Sequence, residues 1–577
     1  MKNDPVIQST IKDNMRLFKI VTPVHVDIFE NYLSSHPNQV FVQSISDGLR
    51  NGFWPGAAFA INDYPHIVDE SDHHPPLSTE EVQFIREQRD IEVQAGRFSP
   101  PFGPSLLPGM VSMPIFAVPK PSGGLQLVTN HSYGPHSLNS LIPHENISGA
   151  PLDGLKQLGD ALLKFQKLHG PVPVNLFKSD VHAAYCLMPV AFEWQIKQVN
   201  TVDNSRHIDR CTCFSDSGSA KTWIDFNACV LWIAVFIKLI PDLFAYSDDT
   251  FSFDFEVNMS WYAPYKKFLP TKQVQLLLLW DELGIPHEEK KQVFGCSIKI
   301  IGFDVNTENM TITMAPESKA DLLKKIQSFI SGLRFTLRDF QSLTGHINWS
   351  FNVFPLLWPS LSNIYHKIAS ASHPRQFLWM NNDMKCDLRW LSHHIESSSG
   401  INVLASTVWD ISDADSTVFC DASLKGLGFW YPELSLGFFA PVNFNLPHGT
   451  GIYFLEALCV ASAIHNFKSY LSTSTAVIYT DSENTVDMFN SFRATPPYNP
   501  ILTSAVDEII QHSYDIRVLH IAGDKNDVAD ALSRGHFDHA RQLIPGLIIE
   551  EFVPPQDILL SIHKFLPPRN ALGEYKK

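Results

Sequence analysis

An apolar, aromatic-rich run from Leu243 to Phe253 is broken at its centre by Tyr246-Ser247-Asp248-Asp249. Both flanks can run as short strands, so the stretch reads as a tight hairpin with two adjacent carboxylates at its tip. Such carboxylates repel one another and are costly to bury unless a cation joins them. With no Cys or His alongside, an oxygen-only ligand set suits a hard ion such as Mg²⁺. An exposed turn is the competing reading of these four residues, and the rest of the chain has to decide.

At 577 residues the chain exceeds what one core serves, so about three to five structural units are expected. Its 44% hydrophobic and 18% charged residues suit a folded globular protein. Eight cysteines without a repeated CxxC indicate neither a disulfide framework nor a zinc knuckle. That pattern favours a reducing intracellular compartment, cytoplasmic or nuclear. The start, Met1-Lys2-Asn3-Asp4-Pro5, lacks the apolar core of a secretory signal. The most apolar run, Ala228 to Ile240, is broken by Lys238 and stopped by Pro241. It predicts a buried helix too short to span a bilayer, and no membrane partner is expected. A net charge of −16 opposes broad binding to phosphate backbones, so any nucleic-acid surface must be locally basic.

Residues 1–75 predict a small N-terminal cap. Ser78, with Glu81 three residues on, predicts a capped helix running to about Gln94. The runs 115–118 and 125–128, around Pro119-Lys120-Pro121-Ser122-Gly123-Gly124, predict a hairpin. Residues 175–185 predict a strand whose end presents Asp180, and 298–303 predict another. Lys319 to Leu333 is an amphipathic helix carrying Lys324 and Lys325, and Thr336 with Asp339 predicts the capped start of the next. The stretch from Phe354 to Leu404 is Trp-rich and helical. From Ala414 to about His539 the pattern is βββαβαβα. It puts Asp421 on a strand, Glu456 on a helix from Phe454 to Leu471, Asp481 at a strand end and Asp530 on a helix. The tail, with Pro554-Pro555 and Pro567-Pro568, reads as an appendage.

Lys120, Asp180 with Tyr185, the Tyr246 hairpin, Lys291 and the Gly302 strand occur in the order of the fingers and palm of a reverse transcriptase. Asp209-Arg210-Cys211 ahead of Phe214, and Gly345-His346-Ile347, resemble the enzymes of tyrosine-recombinase (DIRS-like) retrotransposons. Thr480-Asp481-Ser482 and the run from Gly523 to Arg534 resemble a ribonuclease H domain. The resemblance covers roughly residues 100 to 540. It implies an α+β multidomain chain: fingers and palm at 76–313, thumb at 314–353, connection at 354–413, an α/β ribonuclease H-like domain at 414–540 and a tail at 541–577.

The resemblance also implies RNA-directed DNA polymerase and ribonuclease H activities, with two Mg²⁺ per active site and Mn²⁺ as the alternative ion. Asp180, Asp248 and Asp249 would hold metal at the first site, and Asp421, Glu456, Asp481 and Asp530 at the second. Lys120 would hold the triphosphate, Tyr185 would exclude a ribose 2′-hydroxyl, and Lys291 could protonate pyrophosphate. The implied partners are an RNA template, a DNA primer, an RNA/DNA hybrid and deoxynucleoside triphosphates, and a template cleft lined by Lys120, Lys266, Lys267, Lys324 and Lys325 despite the net charge would favour the active reading.

Three positions depart from the family pattern. Gln126 stands where the family has a triphosphate-binding Arg, which loses a bidentate, permanently charged contact. Asn130 replaces an Asp, and Ser215 replaces a Gly in the loop after Phe214, where a Cβ narrows the backbone's approach. These departures and the acidic balance leave two alternatives open: a non-catalytic retroelement remnant serving as a nucleic-acid scaffold, and a chain in which only the nuclease works. Two further motifs read as structural. Asp216-Ser217-Gly218 resembles an aspartic-protease tripeptide but lacks an apolar strand before it. His66, His73 and His74 have no partner at zinc-like spacing.

Overall fold

The computed structural model describes residues 4–58, 64–120, 123–404, 409–447, 449–470 and 475–562. The expected Pro121-Ser122 tip, the helix end at Leu471 and Pro567-Pro568 lie outside them. The chain divides into two compact units, Met1–Ile301 with Asn306–Glu308, and Gly302–Val305 with Asn309–Lys577.

The first unit is built on a four-stranded sheet ordered His287–Gly295, Val174–Val181, Asp249–Phe255, Phe244–Tyr246, every neighbour antiparallel. Along Val174–Val181, Phe177 and Val181 enter the core, whereas Lys178 and Asp180 are only half-buried. Helix Ser219–Trp232 continues through a π turn to Ile237 and gives Trp223, Phe226, Val230 and Ile233 to that core. Helices Val26–Tyr32 and Gln39–Asn51 add Phe29, Ile45 and Leu49 to the same cluster. The N-terminal segment thus contributes these two helices to the unit's core, and Ile7, Ile11 and Leu17 pack in a second cluster with Met110 and Ile196.

Hairpin Ile115–Pro119/Leu125–Thr129 packs Ile115 and Leu127 against Ile85 of helix Thr79–Gln94. Ser78 and Glu81 close the expected reciprocal cap on that helix. Among the described residues, Ser219–Ile237, at 19 residues, is long and apolar enough by length and composition alone to cross a membrane. The helix starts at Ser219, well ahead of the apolar run at Ala228, and buries Val230, Ile233 and Ala234 of that run in the unit's core.

In the second unit a six-stranded sheet is ordered Asp515–His520, Thr475–Thr480, Ser416–Ala422, Gly426–Tyr431, Leu436–Pro441, Ile548–Glu551. The middle three strands form an antiparallel meander, and the outer three join in parallel. Helix Ile452–Tyr470 is buried along most of its length against Val418, Phe429 and Ile478. Trp430, pointing the other way, packs with Val528 and Leu532. Two differences from the sequence pattern stand out. Two helices, Glu483–Ser491 and Asn499–His512, separate the last two expected strands. The tail, read as an appendage, supplies the edge strand Ile548–Glu551 and buries Ile558. Helices Pro316–Ser331 and Leu337–Ser350 also belong to this unit, the second capped by Thr336 and Asp339.

Candidate active sites

Three carboxylates of the second unit converge. Strands Ser416–Ala422 and Thr475–Thr480 run parallel with Phe419 opposite Tyr479, so Asp421 and Asp481 leave the same end of the sheet. Glu456, in the second turn of the buried helix, meets them there, and one oxygen of each residue lies within 4.8 Å of the others. Asp421 and Glu456 are buried, and Asp481 is exposed.

Glu456 Oε1 accepts the Ala422 N–H at 3.2 Å, while its Oε2 is buried without a hydrogen-bond partner. The Ser533 hydroxyl donates to Asp421 Oδ2 at 2.5 Å. Burial, reinforced by the neighbouring carboxylates, pushes Glu456 up to about 9 and Asp421 up to about 6. A buried orphan oxygen within an all-oxygen donor set fits a hard divalent cation. Asp530, on helix Asp527–Ser533, stands outside the trio and accepts the Arg534 Nε–H at 2.7 Å. It is close enough that its charge helps raise Asp421.

In the first unit Asp180 and Asp249 are opposed in the strand register. The turn between the last two strands is held at both ends. Ser247 is left-handed, with φ 56°, and its carbonyl accepts the Trp223 indole N–H at 2.9 Å. Asp153 exchanges hydrogen bonds with both backbone groups of Ala245. Lys291 Nζ donates to Asp180 Oδ1 at 2.9 Å and Lys178 Nζ to Asp249 Oδ2 at 3.3 Å. Burial raises both carboxyls above the usual range, the lysines pull them back, and Asp248 adds repulsion. Among the described residues Asp180, Asp248 and Asp249 do not form a three-ligand cluster like that of the second unit. The oxygen donors suit a hard cation, but ammonium groups already neutralise two of them.

Beside these acids lies a cavity of about 520 Å³ whose wall includes Lys120, Gln126, Phe214, Asp209 and Lys291. The Tyr185 ring meets Phe214 edge-on, with centroids 4.9 Å apart. The Ser215 hydroxyl donates to the Thr129 carbonyl, which ties the loop to the Gln126 strand. Of the expected cleft lysines, Lys267 is paired with Glu289, and Lys325 donates to Ser342. Asn130 caps its own turn by accepting the Ser132 N–H. Sequence reasoning missed Lys178 and Ser533. Lys178 was recoverable, because strand periodicity puts residue i−2 on the face of Asp180.

The fold and these sites define a multidomain α+β chain with one carboxylate cluster suited to a divalent cation and a second acid group partly neutralised by lysines. No protein-family model matches the chain, and no curated protein matches it. Among solved structures it is similar to the foamy viral protease-reverse transcriptase in three states, each at 14% identity. The dRH form in complex with double-stranded DNA covers 87% of this chain and 83% of that one, with a TM-score of 0.42. A second complex with double-stranded DNA covers 88% and 99% at 0.41. The complex with RNA/DNA hybrid covers 85% and 62% at 0.39. A likeness this distant assigns no function, and the chemistry of the sites has to do so.

Proposed function

We propose that the chain is an RNA-directed DNA polymerase with ribonuclease H activity from a retroelement of the DIRS-like kind, arranged as fingers, palm, thumb, connection and ribonuclease H domain. The observation that carries this reading is the convergence of Asp421, Glu456 and Asp481 around an unpartnered buried oxygen. These residues, with Asp530 alongside, would hold Mg²⁺ or Mn²⁺, and Asp180, Asp248 and Asp249 would hold the same ions at the polymerase site. Ions bound there activate an attacking oxygen and stabilise charge on the phosphate.

The chain's own groups do the positioning. The Ser533 hydroxyl and Ala422 N–H orient Asp421 and Glu456. Lys120 and Lys291, in one cavity wall, bind the triphosphate, and Lys291 Nζ carries a proton that pyrophosphate can take. Gln126 contributes a neutral hydrogen bond where a guanidinium would add charge. Tyr185, braced on Phe214, walls off a 2′-hydroxyl. Ser215 serves the loop by holding Thr129. The substrates are an RNA template, a DNA primer, the hybrid they form and deoxynucleoside triphosphates.

The pairing of Lys178 with Asp249 favours a second reading, in which hydrolysis is kept and polymerisation is lost. The test runs both assays on one preparation with Mg²⁺. RNA-strand cleavage in a labelled hybrid is expected and should vanish in Asp421→Asn. Primer extension is expected and should vanish in Asp248→Asn. Cleavage without extension selects the second reading. A folded protein silent in both assays overturns the proposal and leaves a scaffold.

A further inference from the structure

Away from the acid cluster, strand Arg334–Thr336 of the second unit pairs antiparallel with Phe377–Trp379, placing Arg334 opposite Trp379 and Thr336 opposite Phe377. Strand alternation gives this ribbon two unlike faces. One face is core: Leu378 is buried, and Phe335 stacks on Phe329 with centroids 3.9 Å apart. The other presents Phe377 and Trp379, 57% and 60% exposed, beside Leu333 at 68%. The Arg334 guanidinium lies 4.9 Å from the Phe377 ring centroid and 5.8 Å from that of Trp379. Arg338 and Arg375 stand at the ribbon's other end, where the Arg338 N–H donates to the Pro374 carbonyl.

The chain carries 60 acidic against 44 basic residues, and several of its surface arginines are paired: Arg50 with Asp27 and Glu30, Arg86 with Asp203, Arg534 with Asp530. Arg334, Arg338 and Arg375 have no ion-pair partner among the described residues. Asp339, next to Arg338, spends its carboxylate on the Thr336 cap. An apolar protein partner would desolvate three guanidinium groups, of which only Arg338 has a nearby carboxylate, Asp339, and that is costly. A polyanion with flat aromatic bases satisfies both halves of the surface. Phe377 and Trp379, two residues apart on a strand, stand ~7 Å apart, so each can take its own base. Duplex bases hide their faces in the stack, and unpaired ones expose them.

We propose that this ribbon is a platform for single-stranded nucleic acid, with unpaired bases stacking on Trp379 and Phe377 and phosphates meeting Arg334, Arg338 and Arg375. The platform is separate from both acid sites, and failure of extension or cleavage leaves it standing. The test uses the full chain with divalent ions chelated and reads the fluorescence anisotropy of labelled oligothymidylate, oligouridylate and a duplex of equal length. Trp379→Ala, Phe377→Ala and Arg334→Gln should each weaken single-strand binding roughly 5- to 100-fold and change duplex binding far less. Arg334→Lys should recover only part, because it restores charge without the planar stack. The substituted side chains lie on the exposed face, so thermal melts should match the wild type. Unchanged single-strand affinity in a Trp379→Ala/Phe377→Ala double variant overturns the proposal. So does an equal loss for duplex, or self-association in sedimentation that the double variant abolishes while leaving oligonucleotide binding intact.

Discussion

Asp216 sits in the loop ahead of helix Ser219–Trp232, its two oxygens accepting the Trp194 indole N–H at 3.2 Å and the Gly218 N–H at 2.7 Å. His131 lies 3.9 Å away, its own value pushed down to about 4 by burial, and the Cys213 thiol nearby is raised by the same cause. Burial pushes Asp216 up to about 6. A carboxyl raised in the fold binds its proton more tightly there than in the unfolded chain. It therefore contributes stability below its unfolded value near 3.8, and that contribution is lost as pH rises through about 6. The Asp216→Asn variant should gain on the wild type by roughly 2 kcal/mol between pH 4 and pH 7, read from urea melts across that range. A constant difference would show that Asp216 does not titrate in this window. The sequence read this tripeptide as structural because no apolar strand precedes it, and the fold makes the residue a loop cap held by the Trp194 indole and the Gly218 N–H.

Helix Asp527–Ser533 comes down on strand Gly426–Tyr431 at Gly428, which lies opposite Asp421 in the register. An added Cβ there would stand 2.5 Å from the Ser533 nitrogen, so the glycine is what lets Ser533 reach Asp421. Gly428→Ala should cost about 1–3 kcal/mol from overpacking and reduce hybrid cleavage more than it reduces binding. An unaffected cleavage rate would mean that the helix adjusts without moving Ser533. Elements of this scale were largely legible where local chemistry fixes them: the Ser78 and Thr336 caps, the 115–129 hairpin, the Tyr246 hairpin and the meander. The strand expected at 298–303 is instead interrupted by left-handed Ile301 and Gly302. Trp349 stands 3.1 Å from where a Gly302 Cβ would be, a contact no local pattern announces.

At the scale of the whole molecule, the residues after 545 complete the second unit's sheet. Leu547 and Ile558 are buried, and Ile548–Glu551 covers the edge strand Leu436–Pro441. A chain stopped after Pro545 should lose roughly 3–6 kcal/mol from those two side chains alone, and calorimetry should show the loss in the second unit's transition. Unchanged melting would restore the reading of the tail as an appendage. The acidic balance opposed nucleic-acid binding only as an average. Arg334 lies at one end of the Arg334–Thr336/Phe377–Trp379 ribbon and Arg338 at the other, although the chain as a whole is negative.

By itself the sequence determined which strands and helices carry the four candidate acids of the second site, because strand ends, caps and alternation are written in neighbouring residues. The tertiary structure decided which acids come together. Asp421, Glu456 and Asp481 meet across a parallel pairing and a helix packed on it, while Arg534 holds Asp530 to one side. Lysines neutralise two of the first unit's three candidate acids, Asp180 and Asp249, through side-chain reach across a sheet. Register and packing join residues that the chain keeps far apart, and a sequence records such meetings only indirectly.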